Sequence, residues 1–209
     1  MISTIIPALN ESKTISEIIT ICKQSEHVSE VIVVDDGSID NTYDVAINSG
    51  AKTIRIDENK GKGYVMLLGA KEAKEDIFLF LDADLIGLNI EHVNNMIEPV
   101  INGECESTLG LFTKGRIKTD LAHIITPFLS GQRCIKKEIL FEALSTNPDL
   151  GYGVELAISL FLKKNKKKVI KIPLNNLTHV MKEEKNGQGK GIKKRLKMYE
   201  EILAVLFKK

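Results

Sequence analysis

The first hundred residues alternate between two spacings of apolar positions. Ile2–Ala8 is a β-branched run closing on Pro7 and predicts a first strand. Asn10-Glu11-Ser12 offers capping residues, and Ile15, Ile18, Ile19 and Cys22 then recur at helical spacing. Val31–Val34 predicts a second buried strand, Asp40-Asn41-Thr42 opens a helix, and Thr53–Ile56 predicts a short third strand. Asn59-Lys60-Gly61-Lys62-Gly63 reads as a loop leading into a helix through Ala73. Ile77–Leu81 is five apolar residues in a row, the pattern of a strand buried on both faces, and it runs into Asp82-Ala83-Asp84. Strands alternating with helices in this way predict an α/β fold with a mainly parallel central sheet and right-handed crossovers.

The second half is less regular. Ser107–Phe112 predicts a strand, Thr119–Leu129 a helix carrying Pro127, Gly131–Ile135 a strand and Lys136–Leu144 a helix. Gly151-Tyr152-Gly153 leads into a helix whose expected apolar face is Val154, Leu156, Ala157, Leu160 and Phe161. Lys163–Lys168 reads as a solvated helix end and turn, and Lys168–Pro173 and Asn176–Val180 as short extended segments. A loop over Gly187–Gly191 precedes a last helix to Lys209. There Ile192, Leu196, Tyr199, Ile202, Leu203 and Leu206 form one stripe, and Lys190, Lys193, Lys194, Arg195 and Lys197 crowd the first half. Such a helix packs on its own domain or lies on anionic lipid, which leaves peripheral contact with the inner face of a membrane open.

Composition narrows the partners. The 29 basic and 28 acidic residues balance, so there is no bulk electrostatic case for nucleic acid. Cys22, Cys105 and Cys134 are widely spaced, form no metal pattern and cannot all pair, which suits buried thiols in a reducing cytoplasm. The chain starts directly in a strand, without the charged and apolar regions of a signal peptide, and no apolar run has the length of a membrane span. One domain over residues 1–209 is expected, with homodimerisation left open.

Three predicted strands end in polar clusters: Asn10-Glu11, Asp35-Asp36-Gly37-Ser38 and Asp82-Ala83-Asp84. In a parallel sheet these ends share one edge, where ligands of open α/β sheets bind. In extended chain Asp82 and Asp84 point to one side, and their mutual repulsion calls for a cation such as Mg2+ or Mn2+ carrying a diphosphate. A solvated turn is the competing reading. Lys60 and Lys62 supply positive charge, and the glycines beside them let backbone N–H groups approach an anion at a helix start. The loop lacks the Walker A pattern, and the first strand is not followed by GxGxxG.

Pro7-Ala8-Leu9-Asn10-Glu11, Val33-Val34-Asp35-Asp36-Gly37-Ser38, Asn59-Lys60-Gly61-Lys62-Gly63 and Leu81-Asp82-Ala83-Asp84, in this order, resemble the signature of family 2 glycosyltransferases with the GT-A fold. The resemblance implies a three-layer sandwich and a nucleotide-sugar donor, with UDP favoured over GDP. Residues 1–102 would bind the donor, 103–188 would form the acceptor side, and 189–209 the basic amphipathic helix. Pro7, Glu11 and Asp36 would hold base and ribose, with Asn10 and Ala83 also in the donor site and Lys62 near the diphosphate. Asp84 would bind the metal, with Asp82 in support. Ser130-Gly131-Gln132-Arg133 and Gly151-Tyr152-Gly153-Val154-Glu155 resemble segments of glucosyl-3-phosphoglycerate synthases and of short polyprenyl-phosphate glycosyltransferases such as dolichyl-phosphate mannose synthase. Both groups use phosphate-bearing acceptors, small or lipid-linked. Arg133 is expected against that phosphate, since a guanidinium grips it bidentately. Glu155 would position the acceptor or, in an inverting transfer, act as general base; the competing reading is a first-turn Glu favoured by the helix dipole. His179 matches the place of a third metal ligand. His27, His92 and His123 receive no role.

The expected function is metal-dependent transfer of a hexose from a nucleoside-diphosphate sugar. The alternatives are a non-catalytic nucleotide-sugar-binding protein and a sugar nucleotidyltransferase. The latter is disfavoured because Ala8-Leu9-Asn10-Glu11 stands where its Gly- and Arg-rich loop belongs.

Overall fold

The computed structural model describes residues 1–113, 130–145 and 153–179. Its strands are β1 (Ile2–Ala8), β2 (Val28–Asp35), β3 (Lys52–Arg55), β4 (Ile77–Phe80), β5 (Leu85–Ile86), β6 (Ser107–Phe112), β7 (Arg133–Lys136), β8 (Val169–Leu174) and β9 (Thr178–His179). Its helices are α1 (Ile15–Gln24), α2 (Thr42–Asn48), α3 (Lys62–Glu72), α4 (Ile90–Ile101), α5 (Lys137–Ser145) and α6 (Val154–Lys164). The helices expected over Thr119–Leu129 and at the C-terminus lie outside the described residues. Among the described residues, no helix is long and apolar enough to cross a membrane.

Seven strands form one sheet in the order β3-β2-β1-β4-β7-β6-β8, in which only β7 runs against its neighbours. The order puts β4 at the centre with β1 beside it and delivers the carboxyl ends of β1, β2 and β4 to one edge. Because β7 is reversed, its amino end (Arg133) reaches that same edge.

Alternation along the strands sorts the core into two layers. On one face Ile2, Ile6, Val31, Val33, Leu79 and Leu81 pack with Ile15, Ile18, Ile19 and Cys22 of α1 and with Val93, Met96, Ile97 and Val100 of α4. On the other, Ile5, Ile32, Val34, Phe78 and Phe80 meet α3, α5 and α6 through Val65, Met66, Ile139, Leu140, Val154, Ile158 and Leu162. The result is the expected three-layer sandwich.

The structure corrects four details. The β4 ladder stops at Phe80, so Asp82 and Asp84 stand in the loop beyond the strand. The helix α4 has no counterpart in the expected elements, although Pro99 falls within it. The buried face of α6 turns on Ile158 and Leu162, while Leu160 and Phe161 are half-buried. Finally, β5 and β9 form a separate two-stranded sheet that pairs Leu85 with His179 and Ile86 with Thr178.

Candidate active site at the carboxyl edge of the sheet

The loops after β1 and β2 are knitted together by their own hydrogen bonds. Asn10, at φ 59°, donates its backbone N–H to Ser38 Oγ at 2.8 Å, and its Oδ1 accepts the N–H of Ile39 at 2.9 Å. Thr42 Oγ1 accepts the N–H of Glu11 at 2.8 Å. Pro7 lies half-buried on β1, in register with Val34.

Asp36 is buried, and both of its oxygens are engaged. They accept the N–H groups of Lys60 at 2.7 Å and Gly61 at 3.0 Å. The anion cradled by this glycine loop is therefore the protein's own aspartate, a correction to the expectation that the loop offers those donors to a ligand. Gly61 caps α3 at φ 89°, a conformation a side chain would strain. Burial raises the Asp36 pKa against the pull of the two N–H donors.

The consequence of this loop shape is the position of Lys62, the first residue of α3. Its Nζ bridges two carboxylates, Asp82 Oδ1 at 2.5 Å and Glu155 Oε1, which approaches closer still. Burial works against the ammonium, but the two carboxylates outweigh it and raise the Lys62 pKa. Burial also works against the Asp82 carboxylate, yet Lys62 and His179 hold its pKa below the usual range. Glu155, only 7% exposed at the first turn of α6, is shifted up, because burial and the nearby Asp82 outweigh Lys62 and Arg133.

Arg133 stands one layer behind. It is 3% exposed, its Nη2 donates to Ser159 Oγ at 2.6 Å, and Ser159 Oγ in turn donates to the carbonyl of Glu155 at 2.9 Å. Among the described residues, its Nη1 has no hydrogen-bond partner. Burial pulls its pKa down to about 10, against the charge of Glu155. In this placement the guanidinium faces Glu155 from inside the fold.

The second cluster is Asp84 and His179. Asp84 Oδ1 lies 2.9 Å from His179 Nδ1, and the imidazole packs against Phe112 with ring centroids 4.6 Å apart. Ligand atoms of Asp82, Asp84 and His179 all fall within 4.8 Å of one another, an arrangement that can hold a metal ion. Two hard carboxylate oxygens with one imidazole nitrogen are a donor set that Mn2+ accepts readily. The β5–β9 ladder makes this convergence, since His179 is opposite Leu85, one residue beyond Asp84. Burial disfavours the imidazolium, but the Asp84 hydrogen bond and the charges of both aspartates leave the His179 pKa above its ordinary value.

Two supports of the Asp82–Asp84 loop were not anticipated from sequence. Thr14 Oγ1 donates to the Ala83 carbonyl at 2.6 Å, while the Ala83 side chain turns into the core. Gln132 holds Asp82 from the other side. Thr14 is an ordinary residue at a helix start; Gln132 lies in the Ser130–Arg133 segment singled out by resemblance, but there only Arg133 was given a role.

A three-layer sandwich that gathers paired aspartates, a histidine and a bridging lysine at the carboxyl edge of its strands is the GT-A fold. Residues 3–152 match the sequence profile of Glycosyl transferase family 2, and the chain belongs to that family. It is 28% identical over 198 residues to dolichol-phosphate mannosyltransferase of Pyrococcus furiosus, covering 82% of this chain and 55% of the relative. It is 28% identical over 195 residues to glucosyl-3-phosphoglycerate synthase of Mycobacterium tuberculosis, covering 75% of this chain and 59% of the relative. The chain thus spans a little more than half the length of these curated relatives. The crystal structure of that synthase with Mn2+, UDP-glucose and phosphoglyceric acid aligns with a TM-score of 0.79 at 26% identity, covering 99% of this chain and 78% of the synthase. The synthase has also been crystallised with Mg2+ and UDP.

Proposed function

We propose that the protein transfers a hexose from a UDP-sugar to the hydroxyl of a phosphate-bearing acceptor, with Mn2+ or Mg2+ as cofactor. The observation that carries this reading is the convergence of Asp82, Asp84 and His179 beside the Lys62–Glu155 ion pair. The solved synthase with UDP-glucose and phosphoglyceric acid supports the donor and acceptor classes by likeness.

Asp84 and His179 would hold the metal, and Asp82 would face the donor sugar or a metal-bound water. When bound, the ion supplies Lewis-acid stabilisation to the departing diphosphate. Pro7, Asn10, Glu11 and Asp36 line the base and ribose side, with Asp36 also fixing the loop that aims Lys62. Lys62 exchanges its carboxylate partners for diphosphate oxygens when donor enters, which frees Glu155. Glu155 then accepts the hydrogen bond of the attacking hydroxyl, and its raised pKa brings it nearer the range in which a carboxylate can receive a proton. Arg133 acts on Glu155 from behind, with the Ser159 bridge keeping the first turn of α6 in place.

The test is turnover. UDP-glucose, Mn2+ and a panel of phosphorylated acceptors should yield UDP, and UDP-glucose alone should give slow release. Asp84→Asn should abolish both while leaving the circular dichroism spectrum unchanged. Full turnover of Asp84→Asn in the presence of a chelator would refute the metal chemistry. Donor binding without turnover would leave a nucleotide-sugar-binding protein.

A further inference from the structure

Asp82 lies beyond the last ladder pair of β4, so the sheet does not fix its side chain. Gln132 does. Gln132 is fully buried just before β7. Its Nε2 donates to Asp82 Oδ2 at 2.9 Å, and its Oε1 accepts the backbone N–H of Asp82 at 3.2 Å. One amide thereby holds the main chain and the side chain of the same residue, while Lys62 takes the other carboxylate oxygen.

The main chain that carries this amide is itself held. The backbone carbonyl of Gln132 accepts the N–H of Gly110 at 2.9 Å. Ser130 Oγ accepts the Gln132 N–H at 3.3 Å and donates to the Gly110 carbonyl at 2.6 Å. The two ends of the side chain cannot be exchanged, because a carboxylate needs a donor and an N–H needs an acceptor. Glutamate in the same place would set a second carboxylate against that of Asp82, and an apolar side chain of equal length would offer nothing.

We propose that Gln132 is the positioning residue for Asp82, locking its carboxylate toward the donor sugar. This rests on the glycosyltransferase reading above. The role is distinct from fold support because it predicts a split between ligands. UDP lacks the sugar that Asp82 would face, so its binding should not depend on Gln132, whereas UDP-glucose binding and turnover should.

Gln132→Met keeps the length and removes both polar ends. Calorimetry in Mn2+ should find its UDP affinity within about threefold of wild type and its preference for UDP-glucose over UDP lost. Its kcat should fall about ten- to hundredfold, the usual range for removing a hydrogen-bonding support of a site ligand. Gln132→Glu should fall at least as far. In the Asp82→Asn background, Gln132→Met should cost no more than about threefold, because residues acting through one another are not additive. Wild-type kcat in Gln132→Met, or losses that multiply in the double variant, would overturn the proposal. Should Gln132→Met not fold, Gln132→Asn, one methylene too short, is judged by the same cycle. A wild-type protein that binds neither UDP nor UDP-glucose in Mn2+ would instead sink the glycosyltransferase reading, and this role with it.

Discussion

Gly131 has no side chain, and the space it leaves is filled by the chemistry of its neighbours. A Cβ there would lie 2.5 Å from Asp82 Oδ1 and 2.6 Å from Lys62 Nζ. The Lys62 side chain is long enough to swing away but the Asp82 carboxylate is held by Gln132, so Gly131→Ala should cost the fold about the 1–3 kcal/mol of ordinary overpacking. The swing would break the ion pair that aims both groups, so turnover should drop about tenfold or more, as a small misplacement in a site does. Denaturant melts and steady-state kinetics on one preparation check the contrast. Arg133 makes a different forecast. Arg133→Met removes the cation facing Glu155, so the already raised Glu155 pKa should climb and the acid limb of kcat/KM should move to higher pH. Arg133→Lys should move it less. An unchanged pH profile in Arg133→Met would detach Arg133 from Glu155. Some of this was readable in the sequence. Asp82, Asp84, Lys62 and Glu155 stood out as charged residues in recognisable segments. The inward turn of Arg133 was not readable, because a strand residue's face depends on register, and β7 is reversed.

At the scale of elements, strands with short apolar runs announced themselves, and β1 and β6 span the residues expected of them. α4 did carry a signal in Val93, Met96, Ile97 and Val100 at helical spacing, with Asn89 capping the N–H of His92 at 2.9 Å. Pro99 masks that signal, since proline ordinarily breaks a helix interior. The β5–β9 pair was not legible as a pair: two residues on each side make no periodic pattern, and only the tertiary fold joins them. Its stability should depend on pH. The His179 pKa is raised in the folded chain, so the His179–Asp84 pair contributes fully below the unfolded value of about 6.5 and fades as pH climbs through the raised one. With chelator present, the melting-point advantage of wild type over His179→Gln should therefore be largest near pH 6 and shrink above it. Added Mn2+ should reverse the trend, because a metal takes the neutral imidazole. An advantage that stays flat with pH would mean that the pair is not charged.

For the whole molecule, binding to the folded state should appear as thermal stability. UDP with Mn2+ at a hundredfold excess over Kd should add about 2.7 kcal/mol, a rise in Tm of roughly 5–10 °C for a chain of this size. UDP with chelator should give much less, and an equal rise with and without metal would separate the nucleotide site from Asp84 and His179. The basic stripe toward Lys209 is a separate matter: liposome co-sedimentation that ignores both anionic lipid and deletion of residues 191–209 would exclude peripheral membrane contact. The reversed strand β7 has one more consequence. Phe112 ends β6 and Arg133 begins β7 at the same edge, Glu155 opens α6 beside Lys62, and His179 closes β9 beside Asp84. The ends of four elements thus meet on one rim of the sheet, beside Asp82 and Asp84. A nucleotide and metal held among Lys62, Asp84 and His179 would act as a clasp, fastening together elements far apart along the chain. Hydrogen exchange should then slow together in β9 and in the first turns of α3 and α6 when UDP and Mn2+ are added, and protection confined to one of them would show that no clasp forms.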